Sequence, residues 1–167
     1  LTLRSLETDE LREVLERADQ LKNRELSLCE GRTLVLLFEK RSTRTRVSFS
    51  TGFQELGGRV IFLGSEDVQL ARGETVADTA RTLSRYVDVI ACRTFGQERV
   101  EDLADHFDGP VINALTDQSH PCQALSDVYT MFQHFGGNDP SFAYVGDGNN
   151  VCMSLMEAAH AFDLEMR

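Results

Sequence analysis

"TLVLLFEKRSTRTRVSF", residues Thr33 to Phe49, is the stretch that decides the fold. After Thr33 its opening is continuously apolar through Phe38, which predicts a strand buried on both faces rather than an alternating, half-exposed one. Ser42 then stands where a helix N-cap belongs. Phe49, Phe53 and Leu56 recur on one side of the segment that follows, and Gly57 and Gly58 stop it.

The same rhythm repeats along the chain. "RVIFL" (59–63) reads as a strand, followed by a helix around Val76, Ala80 and Leu83. "VDVIAC" (87–92) leads to a helix carrying Val100, Leu103 and Phe107. "PVINAL" (110–115) leads to one carrying Leu125, Val128 and Phe132, with Pro121 acceptable in its first turn because that N–H needs no helical partner. Upstream, a helix is predicted from near Thr8, with Asp9 and Glu10 at its favourable end and Leu11, Leu15, Ala18 and Leu21 as its apolar stripe. Strands alternating with helices imply right-handed crossovers and a ligand site beyond the carboxyl ends of the strands. The predicted fold is α/β: a three-layer α/β/α arrangement on a mostly parallel four-stranded sheet. One further strand-helix unit is expected, from "SFAYVGD" (141–147) and a helix bearing Val151, Leu155, Ala158, Phe162 and Met166, after the turn or linker signal "GGNDP" (136–140).

Charge narrows the function classes. The 167 residues carry 27 carboxylates against 17 Lys and Arg, a formal net charge of -10, which argues against a broad nucleic-acid surface while leaving room for one local anion pocket. No apolar run approaches the roughly 20 residues that span a bilayer. The opening "LTLRSLETDE" lacks the sections of a secretory signal. Cys29, Cys92, Cys122 and Cys152 are scattered without a CxxC pair or a compact Cys/His group, so reduced, cytoplasmic thiols are expected rather than disulfides or structural zinc.

Against that acidic background, Lys40, Arg41, Arg44 and Arg46 fall within seven consecutive residues, interleaved with Ser42, Thr43 and Thr45. With Ser42 at the cap, the unpaired amides of the first turn lie beside three hydroxyls, and the positive helix end adds to them, a geometry that receives a phosphate. Arg44 can add a planar fork to two phosphoryl oxygens; Arg46 is close enough to assist but could also be structural. The local pattern equally describes a capped, basic, solvent-facing helix start. The glycine-rich P-loop pattern is missing, which disfavours a nucleotide kinase.

"FEKRSTRTRVSF" (Phe38–Phe49) resembles the carbamoyl-phosphate signature of the aspartate/ornithine carbamoyltransferase family. "RGETVADTARTLSRYVDVIACRTF" (Arg72–Phe95), "HPCQALSDVYT" (His120–Thr130) and "YVGDGNNVCMSL" (Tyr144–Leu155) resemble its successive blocks, in order, and the asparagine pair is nearer the ornithine branch. The resemblance implies that Ser42, Thr43, Arg44 and Thr45 hold the phosphate of carbamoyl phosphate, with Arg93, His120 and Gln123 also at the donor. Gln69 resembles the loop glutamine that reaches a neighbouring subunit's site in a catalytic trimer, and Asn150 the residue that touches the amino-acid co-substrate. The implied activity, a step of arginine biosynthesis, is transfer of the carbamoyl group to L-ornithine, giving L-citrulline and phosphate, in a homotrimer or a higher assembly of trimers. No metal, cofactor, nucleic acid or membrane is implied. Aspartate, putrescine and acetylornithine are the alternative acceptors, and a non-catalytic anion-binding or assembly module is the alternative of a different class.

The residue chemistry is compatible with these roles. Arg44 and Arg93 would compensate phosphate charge; Thr45, Arg93 and His120 would polarise the carbamoyl oxygen, with Arg93 and His120 stabilising the transition state. Gln123 can both donate to and accept from a carbamoyl group. Taken singly, Arg93 also reads as a sheet-edge salt-bridge partner, His120 as a helix cap, Gln123 as a surface residue, and "GDGNN" as a turn in which Asn149 or Asn150 caps the next helix. Glu39, Asp78 and Asp127 are candidates for orienting arginines or loops. The family's second domain supplies an Asp, a Ser-Met-Gly segment and a His-Cys-Leu-Pro segment that do not occur here. Residues 1–135 are therefore expected to form the carbamoyl-phosphate-binding domain and 136–167 the linker and first strand-helix unit of an ornithine-binding domain, inactive alone.

Overall fold

A computed structural model describes residues 1–22, 27–68, 73–136 and 140–167. In chain order the elements are a 3₁₀ turn (Leu3–Ser5), α1 (Thr8–Leu21), β1 (Thr33–Phe38), α2 (Thr43–Glu55), β2 (Arg59–Gly64), α3 (Val76–Leu83), β3 (Val89–Arg93), α4 (Gln97–His106), β4 (Val111–Leu115), α5 (Pro121–Phe135) and α6 (Asn150–Phe162). They group into two compact units, Leu1–Arg24 with Asp117–Arg167, and Glu25–Thr116.

The Glu25–Thr116 unit contains the sheet, four parallel strands in the order β2-β1-β3-β4. β1 lies inside it, and all six of its residues are buried, which is why its sequence does not alternate. Leu34, Leu36 and Phe38 share one face with Phe49 and Phe53 of α2, while Val35 and Leu37 point the other way and are buried as well. The chain steps from β1 outward to β2, then back past β1 to β3 and β4. Right-handed crossovers in opposite directions place α2 on one face and α3 with α4 on the other. The result is the predicted three-layer α/β/α arrangement. Each fully buried aliphatic side chain of β1 stabilises it by roughly 1.5 to 3 kcal/mol.

Two strand starts differ slightly from the sequence reading. β3 begins at Val89, because the preceding Asp88 turns its carboxylate back to accept from the Thr33 N–H at 2.8 Å and from Arg32 at 2.7 Å. β4 begins at Val111, after Pro110, which has no N–H to give but accepts from Ile90 at 3.1 Å.

In the other unit, Leu11 and Leu15 of α1, Ala124 and Val128 of α5, and Leu155, Ala158, Ala159 and Phe162 of α6 form one apolar core. The Glu7 N–H is answered by the Glu10 carboxylate at 2.8 Å, which closes the entry to α1. Pro121 opens α5 and Gly136, at φ 68°, ends it in the left-handed conformation that glycine adopts without penalty. The further strand-helix unit is present, with its strand short: Phe142 pairs in parallel with Met166, and the Tyr144 N–H donates to Arg167 at 2.8 Å. Met166, predicted on the stripe of the last helix, is instead part of this pairing. α6 stops at Phe162 because Asp163, at φ 55°, reverses the chain and sends 165–167 back alongside Phe142. Among the described residues no helix is long and apolar enough to cross a membrane.

Candidate functional site

Ser42 is the N-cap of α2: its backbone is extended and its Oγ accepts from the Thr45 N–H at 3.3 Å. That bond answers one of the amides every helix start leaves open, and the geometry of a first turn aims those of Thr43 and Arg44 away from the helix. The helix end alone would favour an anion by roughly 0.3 to 1 kcal/mol, too little for selective binding. A second donor set is required.

Arg93 supplies it. It is the last residue of β3, paired in register with Phe38 of β1, so its side chain emerges beyond the carboxyl end of the sheet on the α2 face. Its Nη1 donates to Thr45 Oγ1 at 3.4 Å, and its Nε is buried without a hydrogen-bond partner among the described residues. Partial burial lowers the Arg93 pKa below the ordinary arginine value. A buried donor of this kind is costly to leave unanswered, and a bound oxyanion would satisfy it. Arg44 is exposed at the same helix start.

The neighbouring side chains hold this arrangement in place. The Arg46 guanidinium lies 3.6 Å from the Phe62 ring centroid, a stacking contact that commits it to structure, and Lys40 Nζ lies 4.7 Å from that of Phe95. A cleft of about 680 Å³ opens beside the turn, lined by Phe38, Lys40, Ser42, Thr43, Arg46 and Phe62 among others. Neither Arg93 nor Thr45 lines it, so the converging donors, rather than the cleft, mark where an anion belongs.

His120, Gln123 and Asn150 belong to the other unit. His120 is the residue before Pro121 at the start of α5; its N–H donates to Ser154 Oγ of α6 at 2.8 Å. That contact ties the start of α5 to the first turns of α6, where Asn150 is the first helical residue. The cap of α6 is Asn149, whose side-chain oxygen accepts from Val151 at 2.9 Å and Cys152 at 3.2 Å. Gln123 is exposed, and its amide donates one turn along the helix to Asp127 at 2.9 Å. The structure thus groups Ser42, Thr43, Arg44, Thr45 and Arg93 in one unit and His120, Gln123 and Asn150 in the other. Gln69 lies outside the described residues.

Of the three carboxylates read as orienting groups, Asp78 pairs with Arg81 at 3.1 Å along α3, and Asp127 takes a glutamine amide instead of an arginine. Glu39 accepts from both Arg99 Nη1 and Thr94 Oγ1. Thr94 and Arg99 carry no signal of their own in the sequence; they are 55 and 60 positions from Glu39 and meet it only through the fold. Cys92 is buried behind Arg93, and that burial pushes its thiol up to about 12, which disqualifies it as a thiolate nucleophile near neutral pH. Among the described residues no group of three or more His, Cys, Asp or Glu side chains is placed to hold a metal ion.

Residues 1–133 match the family described as aspartate/ornithine carbamoyltransferase, carbamoyl-P binding domain. Ornithine carbamoyltransferase of Psychrobacter arcticus is 47% identical over 173 aligned positions, covering 100% of this chain and 56% of that protein. That of Bacillus subtilis is 52% identical over 158, covering 93% and 50%. The crystal structure of ornithine carbamoyltransferase from Thermus thermophilus superposes with a TM-score of 0.93 at 41% identity, over 99% of this chain and 59% of that one. The chain spans about half the length of the curated relatives it matches. It belongs to the aspartate/ornithine carbamoyltransferase family, in the ornithine carbamoyltransferase branch.

Proposed function

We propose that the protein containing this chain transfers the carbamoyl group of carbamoyl phosphate to L-ornithine, giving L-citrulline and phosphate, a cytoplasmic step of arginine biosynthesis. The observation that carries the reading is the convergence of the Ser42-capped turn, the Thr45 hydroxyl and the Arg93 guanidinium with its buried, unanswered Nε. A phosphoryl group is the substrate fragment that uses all three at once. The acceptor assignment rests on similarity to ornithine carbamoyltransferases.

Carbamoyl phosphate combines a charged leaving group with a carbonyl carbon open to an amine. In this reading the first-turn amides of α2, the hydroxyls of Ser42, Thr43 and Thr45, and the Arg44 and Arg93 guanidiniums bind the phosphoryl oxygens. The δ-amine of ornithine, deprotonated, attacks the carbamoyl carbon; a tetrahedral centre forms, its oxyanion stabilised by Thr45, Arg93 and His120, and the carbon–oxygen bond to phosphate breaks as the surplus proton of the attacking nitrogen passes to the departing phosphate. Gln123 holds the carbamoyl amide through its two-sided hydrogen bonding, and Asn150 contacts the amino-acid end of ornithine. No covalent intermediate is needed, so the rate advantage comes from alignment and charge compensation. A homotrimer, or a higher assembly of trimers, would let Gln69 reach a neighbouring subunit's donor.

The test supplies the full-length protein with carbamoyl phosphate and, separately, L-ornithine, L-aspartate, putrescine and acetylornithine, and measures the carbamoylated product directly. Citrulline formation well above the other products is expected. Preference for another acceptor overturns the acceptor assignment; no carbamoylation of any of them overturns the enzymatic reading.

A further inference from the structure

Past their carboxyl ends, β1 and β3 remain joined residue by residue. Phe38 pairs with Arg93 in register, and the Glu39 N–H donates to the Arg93 carbonyl at 2.9 Å. The Glu39 carboxylate then accepts from the Thr94 hydroxyl, and Lys40 stacks over Phe95. On the other side of Arg93, the Thr94 N–H donates to Leu115 at 3.0 Å, just where the β3–β4 register shifts between Cys92 and Arg93. Arg93 is therefore bracketed at its own carbonyl and at the next residue, and Glu39 reaches both brackets.

The two side-chain directions at this point separate two tasks. Arg93 emerges on the α2 face towards Thr45, whereas Thr94 alternates to the α4 face, where it is 1% exposed. Glu39 meets it there, with its side chain 15% exposed. A carboxylate so withdrawn requires compensation, and Arg99, in the first turn of α4, provides it by donating to the second Glu39 oxygen. Glu39 lines the same cleft as Ser42 and Thr43, and its pairing with Arg99 offsets the negative charge it brings there.

We infer that Glu39, locked by Thr94 and Arg99, is a positioning residue that sets the direction of the Arg93 guanidinium towards the phosphate-binding turn. The inference rests on the proposed use of Arg93 for a phosphoryl group. Glu39 touches no substrate; it acts by holding the strand end from which Arg93 projects. Glu39→Gln keeps an acceptor for Thr94 and loses the charge that holds Arg99, and Arg99→Gln loses the same pair from the other end.

The test measures binding of inorganic phosphate by calorimetry to the full-length protein and to Glu39→Gln, Arg99→Gln, Arg93→Met and the Glu39→Gln/Arg93→Met double variant, each with its thermal midpoint. Glu39→Gln is expected to weaken phosphate binding about tenfold, the scale of coupling between residues in one network, and to have no further effect once Arg93 is gone. Arg99→Gln, which leaves Glu39 itself intact, should reproduce the loss if Glu39→Gln fails to fold. Unchanged phosphate affinity in either folded variant, with only the thermal midpoint lowered, would make the network purely structural and overturn the inference. Independent, multiplying losses in the double variant would overturn it too. A wild-type protein that binds phosphate through Arg93 yet carbamoylates no amine would refute the proposed reaction and leave this positioning role standing.

Discussion

Arg93 Nη1 lies 3.4 Å from Thr45 Oγ1, joining the end of β3 to the first turn of α2 across 48 positions of sequence. Neither residue alone describes a binding site. A threonine in a helix's first turn is ordinary, and an arginine at a strand end most often finds a carboxylate. Here its neighbour is a hydroxyl, its Nε is buried without a partner among the described residues, and the helix beside it opens with Ser42 at the cap.

Arg93→Lys separates charge from geometry. The ammonium keeps the positive charge and loses the planar fork that can hold one oxygen on Thr45's side and another at Nε. Binding of carbamoyl phosphate by the full-length protein should weaken by roughly 10- to 100-fold, the range for lost hydrogen bonds to a charged group. Equilibrium binding measures it, and a lysine variant with wild-type affinity would show that charge alone suffices.

Ser42→Ala should cost both stability and affinity. Removing a serine N-cap costs about 0.5 to 2 kcal/mol, while glycine at the same place costs a few tenths. Denaturant titration should therefore rank the variants Ser42→Ala below Ser42→Gly. Both should bind phosphate less tightly, because both lack the hydroxyl; equal stability of the two variants would contradict the cap assignment.

Much of this was legible beforehand, and the limits have physical causes. Ser42 could be named as the cap because an N-cap is a local interaction, closed here within three residues. β1 could be read as a strand buried on both faces because continuous burial leaves a continuous apolar run. The Glu39–Thr94–Arg99 contacts were not legible, since hydroxyl, carboxylate and guanidinium meet only after two strands and a helix have packed. Met166 departs from the helical reading for a similar reason: helical spacing continues past Phe162, but Asp163 turns the chain, and the partner that makes 165–167 extended is Phe142, more than 20 positions back. "GDGNN" left two candidate caps, and only the hydrogen bonds separate them.

The pH dependence of stability should report Asp88. The Arg32 guanidinium, first, and the Thr33 N–H, second, hold its carboxyl below the ordinary carboxylate range. A folded-state pKa below the unfolded one stabilises at every pH above the unfolded value, and the contribution disappears as pH falls through the lowered value. The stability gap between wild type and Asp88→Asn should thus be full at about pH 7 and narrow below about pH 4. Urea titrations at both ends measure it, and a gap that widens on acidification would reverse the assignment.

The adjacent asparagines Asn149 and Asn150 should fail in different ways when replaced. Asn149 accepts from Val151 and Cys152, receives a Tyr144 hydroxyl contact at 3.4 Å and donates through its amide nitrogen to Asp147 at 2.8 Å. These bonds commit it to starting α6, so Asn149→Ala should lower stability by about 1 kcal/mol, with loss of activity only to the extent that the helix start moves. Asn150 is the first residue inside the helix, where alanine is well tolerated by the backbone. If it contacts the amino-acid end of ornithine as proposed, Asn150→Ala should leave the thermal midpoint close to wild type and raise KM for ornithine, with KM for carbamoyl phosphate little changed. Steady-state kinetics with each substrate varied in turn, beside thermal unfolding of both variants, distinguishes the two positions. An Asn150→Ala protein with normal ornithine kinetics would remove that residue from the site, and an Asn149→Ala protein as stable as wild type would mean that another group starts the helix.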